Sequence, residues 1–372
     1  MLTANSEPAN RQQVHCAVPS TMQAAVYRGQ STVQVEEIPT PAIGAGELLV
    51  RVEACGICHT DLKKIEHNLV NPPRIFGHET AGVVAAVGPG VTKFRPGDRV
   101  VAFHHIPCLD CFYCHRKLYA QCPVYKRVGI TAGFEPAGGG FAQYIRIMDW
   151  IVKRGVERIP DGISFERATF VEPLNTCLKA VVQCDPQPGD FVLVLGQGPI
   201  GLMFTMLCRR TGARVAVTDT IPARLEIAAL CGAEFLWNPL LEDLPAVVKE
   251  LTEHRGADLV IVAASAPGIV HQAIASSRPG ARILLFAQTS SAERIDASGA
   301  EICAQERTLF GCYSASVDLQ TESLNLVFSG ALPLDELISH RLPLVKIRSG
   351  FDLALHPGPK SLKIIVQPQR WV

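Results

Sequence analysis

The sequence carries no charge imbalance: 35 Lys and Arg meet 35 Asp and Glu over 372 residues, a formal net charge of zero. Without a basic face or stripe there is no general pull toward nucleic acid or an anionic membrane, so a small uncharged or polar partner is expected. No apolar run approaches the roughly 20 residues that cross a bilayer. Met1 to Val18 is polar and lacks the apolar stretch of a secretion signal. No internal repeat or low-complexity tract is present. These absences exclude nucleic-acid and membrane classes and leave the expectation of a soluble, cytoplasmic protein. At about 100 to 200 residues per domain, the length predicts two domains.

Thirteen cysteines are present, an odd number, and five of them sit in tight spacings that favour metal thiolates over disulfides in a reducing compartment. Cys108, Cys111, Cys114 and Cys122 form C-x2-C-x2-C-x7-C within PCLDCFYCHRKLYAQCP. Four thiolates from one short loop close a tetrahedral shell and leave no position for substrate, which predicts a structural zinc in a lobe spanning 104–125. The remaining cysteines, Cys55, Cys177, Cys184, Cys208, Cys231, Cys303 and Cys312 among them, read mostly as small core residues.

The texture of the chain changes along its length. Residues 1–21 show no periodic apolar pattern and are expected to be a disordered tail or a start-site extension, with Met22 as an alternative start. From 22 to 174, short β-like segments such as ELLVRVEA, AGVVAAVG and FAQYIRI are broken by Gly and Pro, which predicts a β-rich, partly open barrel. Between 175 and 313, apolar strands alternate with helical patterns, the mark of a doubly wound parallel α/β sheet. From 314 to 372 the short elements return and end in SLKIIVQP. The expected topology is a nucleotide domain inserted into one β-rich domain, with the cleft between them.

Within the inserted segment, VLVLGQGPIG places G-x-G-x-x-G after an apolar strand and at the start of a helix. Gly196 permits the tight turn, Gly198 admits a pyrophosphate, Gly201 packs helix on strand, and Pro199 and Ile200 open the helix whose N-terminus faces the anion. The next strand ends in Asp219, 18 residues past Gly201, where a carboxylate can accept from both adenosine ribose hydroxyls. A 2′-phosphate beside Asp219 would meet like charge, so NAD is expected over NADP. No basic residue adjoins Asp219 in sequence, and Arg224 on the following helix is placed to flank the ribose.

GICHTDL supplies Cys58, Thr60 and Asp61, FGHETAG supplies His78 and Glu79, and VEPLNTCLKA supplies Glu172 just before the nucleotide domain. One thiolate, one imidazole and one carboxylate suffice for a catalytic zinc that keeps a position open. Asp61 is read either as a partner orienting a ligand or as the cap of a helix beginning at Leu62.

These motifs, in this order, resemble the zinc-dependent medium-chain dehydrogenase/reductase superfamily, and most of all its sorbitol (L-iditol) dehydrogenase and threonine dehydrogenase branch. The resemblance covers 22–372 and includes GICHTDL, GHE, the four-cysteine lobe, GGGFAQY, VEPL and GQGPIG. It implies a GroES-like catalytic domain, a Rossmann domain, NAD, two zinc ions per chain and a homodimer or homotetramer. It also implies that Cys58, His78 and Glu79 bind the catalytic zinc, while Glu172 is a further ligand or holds the zinc-bound water. The Glu-Pro pair at 172–173 points to hydrophilic polyols, sugars or cyclic alcohols; a general alcohol or aldehyde dehydrogenase and an L-threonine 3-dehydrogenase are the alternatives. A non-catalytic NAD-binding sensor is the rival from another class.

The chemistry expected is removal of a hydroxyl proton followed by hydride loss to nicotinamide. Zinc lowers the pKa of a bound water from about 16 to about 7, worth up to about 12 kcal/mol at 1.36 kcal/mol per unit. Thr60 is placed to take the proton. Zinc with the Cys58 thiolate and the Glu79 carboxylate is formally neutral, so direct addition of Glu172 would make the centre anionic, and Glu172 is expected to act through water or to exchange. Relatives commonly carry histidine five residues after the zinc cysteine; here Lys63 stands there, with His67 further on. His59 occupies a place that touches pyrophosphate in some relatives, or faces solvent. Substrate contacts are sought in Lys63 to Leu69 and Thr131 to Gly140.

Overall fold

The computed structural model describes residues 18–103, 105–125, 139–287, 295 and 297–370. The strand Phe191–Leu195 is apolar and buried at every position, so it needs neighbours on both edges and layers on both faces. It pairs in parallel with Arg214–Thr218 on one side and Ala257–Val262 on the other. The whole sheet runs Phe235–Trp237, Arg214–Thr218, Phe191–Leu195, Ala257–Val262, Ser277–Leu285, Thr308–Gly311, parallel throughout. Counted from Phe191–Leu195 the order is 3-2-1-4-5-6, and the chain reverses direction between the first and fourth strands. A crevice opens at the carboxyl ends of those two strands.

The rest of the molecule is mostly antiparallel. The strand Leu48–Gly56 lies at its centre, paired with Glu79–Val87, with Tyr144–Ile147 and with the C-terminal strand Lys363–Gln367. Lys363–Gln367 in turn pairs in parallel with Ile338–Pro343, so the end of the chain is built into the sheet that its first hundred residues begin. A smaller sheet joins Thr21–Gly29 to Thr32–Pro39 and Arg74–Ile75. The strand starting at Thr21 contains Met22, which is 3% exposed, while residues 1–17 lie outside the described part.

The two sheet systems are joined by a helix, Val171–Cys184, which runs straight through the 174/175 boundary expected from texture. Glu172, Asn175 and Lys179 are buried on it at offsets of three and four, which places them on one stripe. Among the described residues no helix is long and apolar enough to cross a membrane. Cys55, Cys177, Cys184, Cys208 and Cys231 are buried as expected, but Cys303 is exposed and Cys312 is half-buried beside the cleft.

Candidate active site

Gly56 stands opposite Glu79 in the antiparallel register. That pairing brings Cys58, just past the end of one strand, against His78 and Glu79 at the start of the other. The ligand atoms of these three side chains lie within 4.8 Å of one another. Gly56 has to be glycine, because a Cβ there would sit 1.9 Å from Glu79 Oε2. Cys58 caps the helix His59–Glu66, its Sγ accepting from Thr60 N at 3.5 Å, so the sulfur sits at the positive end of the helix dipole. The helix starts at His59 and not at Leu62. Asp61 is therefore inside the first turn, fully buried, with Oδ1 3.1 Å from His78 Nδ1 and Oδ2 accepting from Gly77 N at 3.2 Å. Of the two readings of Asp61, the geometry favours the partner of His78: the carboxylate accepts from His78 Nδ1, which leaves Nε2 without that contact and open to the cluster that could hold a metal.

A residue that no motif marked completes this cluster. Lys363, 5% exposed, forms an ion pair with Glu79 and donates from Nζ to Ile57 O at 3.1 Å. Burial works against its charge, but Glu79, Cys58 and Glu172 together raise its pKa above the ordinary lysine value, so it is a cation.

The four-cysteine lobe forms its own small cluster, with Cys114, Ala120, Cys122 and Tyr125 buried in it. Its sulfurs stand 3.5 Å (Cys108 and Cys122), 3.6 Å (Cys111 and Cys114) and 3.9 Å (Cys108 and Cys114) apart. These are too long for disulfides. A tetrahedron with Zn–S near 2.3 Å has S···S edges of about 3.8 Å, so the four thiols have the spacing of a zinc shell.

A cleft of about 510 Å³ separates the antiparallel part from the parallel sheet. Cys58, Thr60, His78, Glu79 and Glu172 line one wall; Gly196, Gly198, Pro199, Ile200, Asp219 and Arg224 line the other. Gly196 has φ +94° and Gly201 packs so tightly that a Cβ would lie 1.9 Å from Gly196 O, whereas a Cβ on Gly198 would meet nothing within 4 Å. The backbone at Gly198 is thus open where a pyrophosphate would approach, at the N-cap of the helix Pro199–Arg210. Asp219 accepts from Gln197 N at 2.7 Å and Ile221 N at 2.9 Å. Arg224, on the first turn of the following helix, lies 3.7 Å from the same carboxylate, and its buried Nε has no hydrogen-bond partner among the described residues.

Residues 44–160 match the alcohol dehydrogenase GroES-like domain family, and residues 199–329 match the zinc-binding dehydrogenase family. Sorbitol dehydrogenase of Bacillus subtilis is 31% identical, over 95% of this chain and 99% of its own. The erythritol/L-threitol dehydrogenase of Mycolicibacterium smegmatis is 31% identical over 94% of this chain and 99% of its own. Among solved structures, a zinc-binding dehydrogenase from Sinorhizobium meliloti bound to NADP superposes with a TM-score of 0.85 at 27% identity, covering 94% of this chain and all of that one. The chain belongs to the zinc-dependent medium-chain dehydrogenase/reductase superfamily. It is an alcohol dehydrogenase that works with zinc and a nicotinamide cofactor.

Within this dehydrogenase the other candidate residues separate. Glu172 is 8% exposed and lines the cleft, but it stands outside the three-residue ligand cluster. Burial pushes its pKa up, opposed by the nearby His78 and Lys363 charges. Lys63 lines the cleft; His67 does not, being exposed and 4.0 Å from Glu66, so it is no part of a relay in this geometry. His59 reaches the cleft as well, and its pKa is lowered, first by desolvation against the cleft wall and then by the Lys363 charge. Of the stretch Thr131 to Gly140, residues 131–138 lie outside the described part. Sequence reasoning missed Lys363, and also His105, Tyr125 and Ser314, all on the cleft wall.

Proposed function

We propose that the protein oxidises a secondary hydroxyl of a polyol, sugar or cyclic alcohol with NAD. The observation that carries this reading is the convergence of a Cys58, His78, Glu79 metal cluster and a glycine-rich nucleotide turn on opposite walls of one cleft. The donor sets fit both groups: sulfur, nitrogen and oxygen for an open zinc, and an open Gly198 backbone with an unpartnered Arg224 Nε for a dinucleotide. When bound, zinc supplies Lewis-acid polarisation of the substrate hydroxyl and NAD supplies the hydride acceptor.

The chain's own residues carry the rest. Thr60 takes the hydroxyl proton and passes it toward the cleft mouth beside Lys63. Asp61 fixes the ring of His78. Glu172 orients water or the substrate hydroxyl one shell out from the metal ligands. Lys363 changes the charge count, since a divalent ion with the Cys58 thiolate, the Glu79 carboxylate and this buried cation keeps one positive charge. Ionised Glu172 then brings the site to neutrality, so its place outside the ligand cluster, and not repulsion, is what favours action through water. A carboxylate at Asp219, already held by two backbone N–H groups, favours ribose hydroxyls over a 2′-phosphate. A homodimer or homotetramer in the cytoplasm completes the proposal, as does the division at 22–174, 175–313 and 314–372.

Turnover of sorbitol, xylitol, inositol, threonine and ethanol with NAD tests it by the absorbance of the reduced cofactor. A polyol is expected to give the highest kcat/KM. Preference for ethanol or threonine, or full activity in metal-free protein, overturns the reading.

A further inference from the structure

Oxidation engages one hydroxyl, yet the cleft carries a second polar group that this chemistry does not use. Tyr125 and Ser314 both line it. Tyr125, at the end of the four-cysteine lobe, is 2% exposed; its Oη lies 2.8 Å from Ser314 Oγ and donates weakly to Ala315 O at 3.5 Å. Its ring stacks on His105, with centroids 4.8 Å apart and planes at 22°. Burial first, then the charge of Glu172, pushes the phenol pKa far above its ordinary value, outweighing the Ser314 and Ala315 contacts. The hydroxyl therefore keeps its proton at any working pH, and it sits within electrostatic reach of Glu172.

Ser314 is held in a conformation that serine avoids, with φ +61°. Such a residue persists only where its surroundings over-determine it. Here they do: Lys179 Nζ donates to Tyr313 O at 2.8 Å, and Asn175 Oδ1 accepts from Ser316 N at 2.7 Å. Both clamps come from the buried stripe of the helix that also carries Glu172. The backbone on either side of Ser314 is held at Tyr313 and Ser316, and its side chain is held by Tyr125.

Two hydroxyls that share one hydrogen bond keep unused lone pairs between them, and a second proton that has only the long 3.5 Å contact to Ala315 O. That is the complement of a third hydroxyl, which both donates and accepts. A methyl or methylene in the same place would leave the remaining lone pairs and the weakly held proton unmatched in a desolvated pocket, and sites of this kind reject analogues that lack the hydroxyl. We propose that Tyr125 and Ser314 receive a second hydroxyl of the substrate, making the pair a specificity element for diols and polyols over mono-alcohols. This rests on the alcohol dehydrogenase reading above and adds to it which part of the chain recognises the remainder of the substrate.

The test compares xylitol and butane-2,3-diol with butan-2-ol, measuring kcat and KM in the full-length zinc-loaded protein and in Tyr125→Phe, Ser314→Ala and the double variant. Phenylalanine keeps the ring stack on His105. Each single variant is expected to lower the polyol to mono-alcohol ratio of kcat/KM by about tenfold, the equivalent of one net hydrogen bond of about 1.4 kcal/mol. The double variant is expected to fall little further, because the pair acts as a unit. A ratio that moves less than twofold in both single variants, or equal losses on all three alcohols as a mere structural brace would give, refutes the role of the pair while leaving the alcohol dehydrogenase reading intact. A wild-type protein that oxidises none of the three overturns both.

Discussion

Replacing Lys363 by methionine keeps most of the aliphatic stem and removes the charge, leaving Glu79, 1% exposed, without its buried cation. Breaking such a pair from one side costs about 3–5 kcal/mol, because the remaining carboxylate keeps its desolvation penalty and loses its compensation. A divalent ion held by Cys58, His78 and Glu79 would lie against the same carboxylate and would replace the lost charge. The destabilisation should therefore depend on metal: about 3–5 kcal/mol in chelator-treated protein and well under half of that when zinc is saturating. Urea unfolding of wild type and K363M, each with chelator and with zinc, measures the four corners of the cycle. The same variant should lower kcat, since removing the cation lowers the positive charge that the metal site presents to the reacting oxygen. If K363M costs less than about 1 kcal/mol without metal, or the same with and without it, the charge argument for Lys363 is wrong.

Asp61→Asn weakens the partner that fixes His78 and should lower zinc affinity at the Cys58 site by about 10–100-fold, read by competition with a chromophoric chelator; unchanged affinity would remove Asp61 from the metal site. Asp219→Ser should lower the NAD to NADP ratio of kcat/KM at least about tenfold, since it removes both the ribose acceptor and the charge that opposes a 2′-phosphate, while Arg224 stays. An unmoved ratio would show that Asp219 only braces its own turn. Cys114→Ser should leave about one zinc per chain by elemental analysis and expose the 105–125 lobe to proteolysis, because that small cluster has little apolar area to hold it without metal. Two zinc ions retained with the lobe intact would refute the four-thiolate shell.

What could be read from the sequence was local. The turn from Gly196 to Gly201, the four-cysteine loop and the Cys58 and His78 segments each carry their chemistry within a few residues; the fold sets Cys58 against His78 and Glu79 and keeps the four cysteines as a separate cluster. The helix Val171–Cys184 lies across the expected domain boundary, and Pro173 sits in its first turn, where its missing N–H has no helical partner to lose. The helix Leu244–Leu251 likewise carries Pro245 in its first turn. Lys363 lay in plain apolar strand text, and only the register that sets Ile365 opposite Gly56 carries it to Glu79. Tyr125 and Ser314, 189 residues apart, likewise meet only through the fold.

The placement of Lys363–Gln367 between Leu48–Gly56 and Ile338–Pro343 has a consequence for biosynthesis. The parallel sheet is contiguous from 191 to 311 and can close as it leaves the ribosome, but the antiparallel one must wait with an open edge for the final strand. At 5 to 20 residues per second, that wait after the Glu79–Val87 strand is roughly 15–60 s, during which Glu79 has no counter-ion and the neighbouring thiol no finished pocket. The reactive cavity is therefore complete only once Lys363–Gln367 has paired with Leu48–Gly56, about 280 residues after the Glu79–Val87 strand is made.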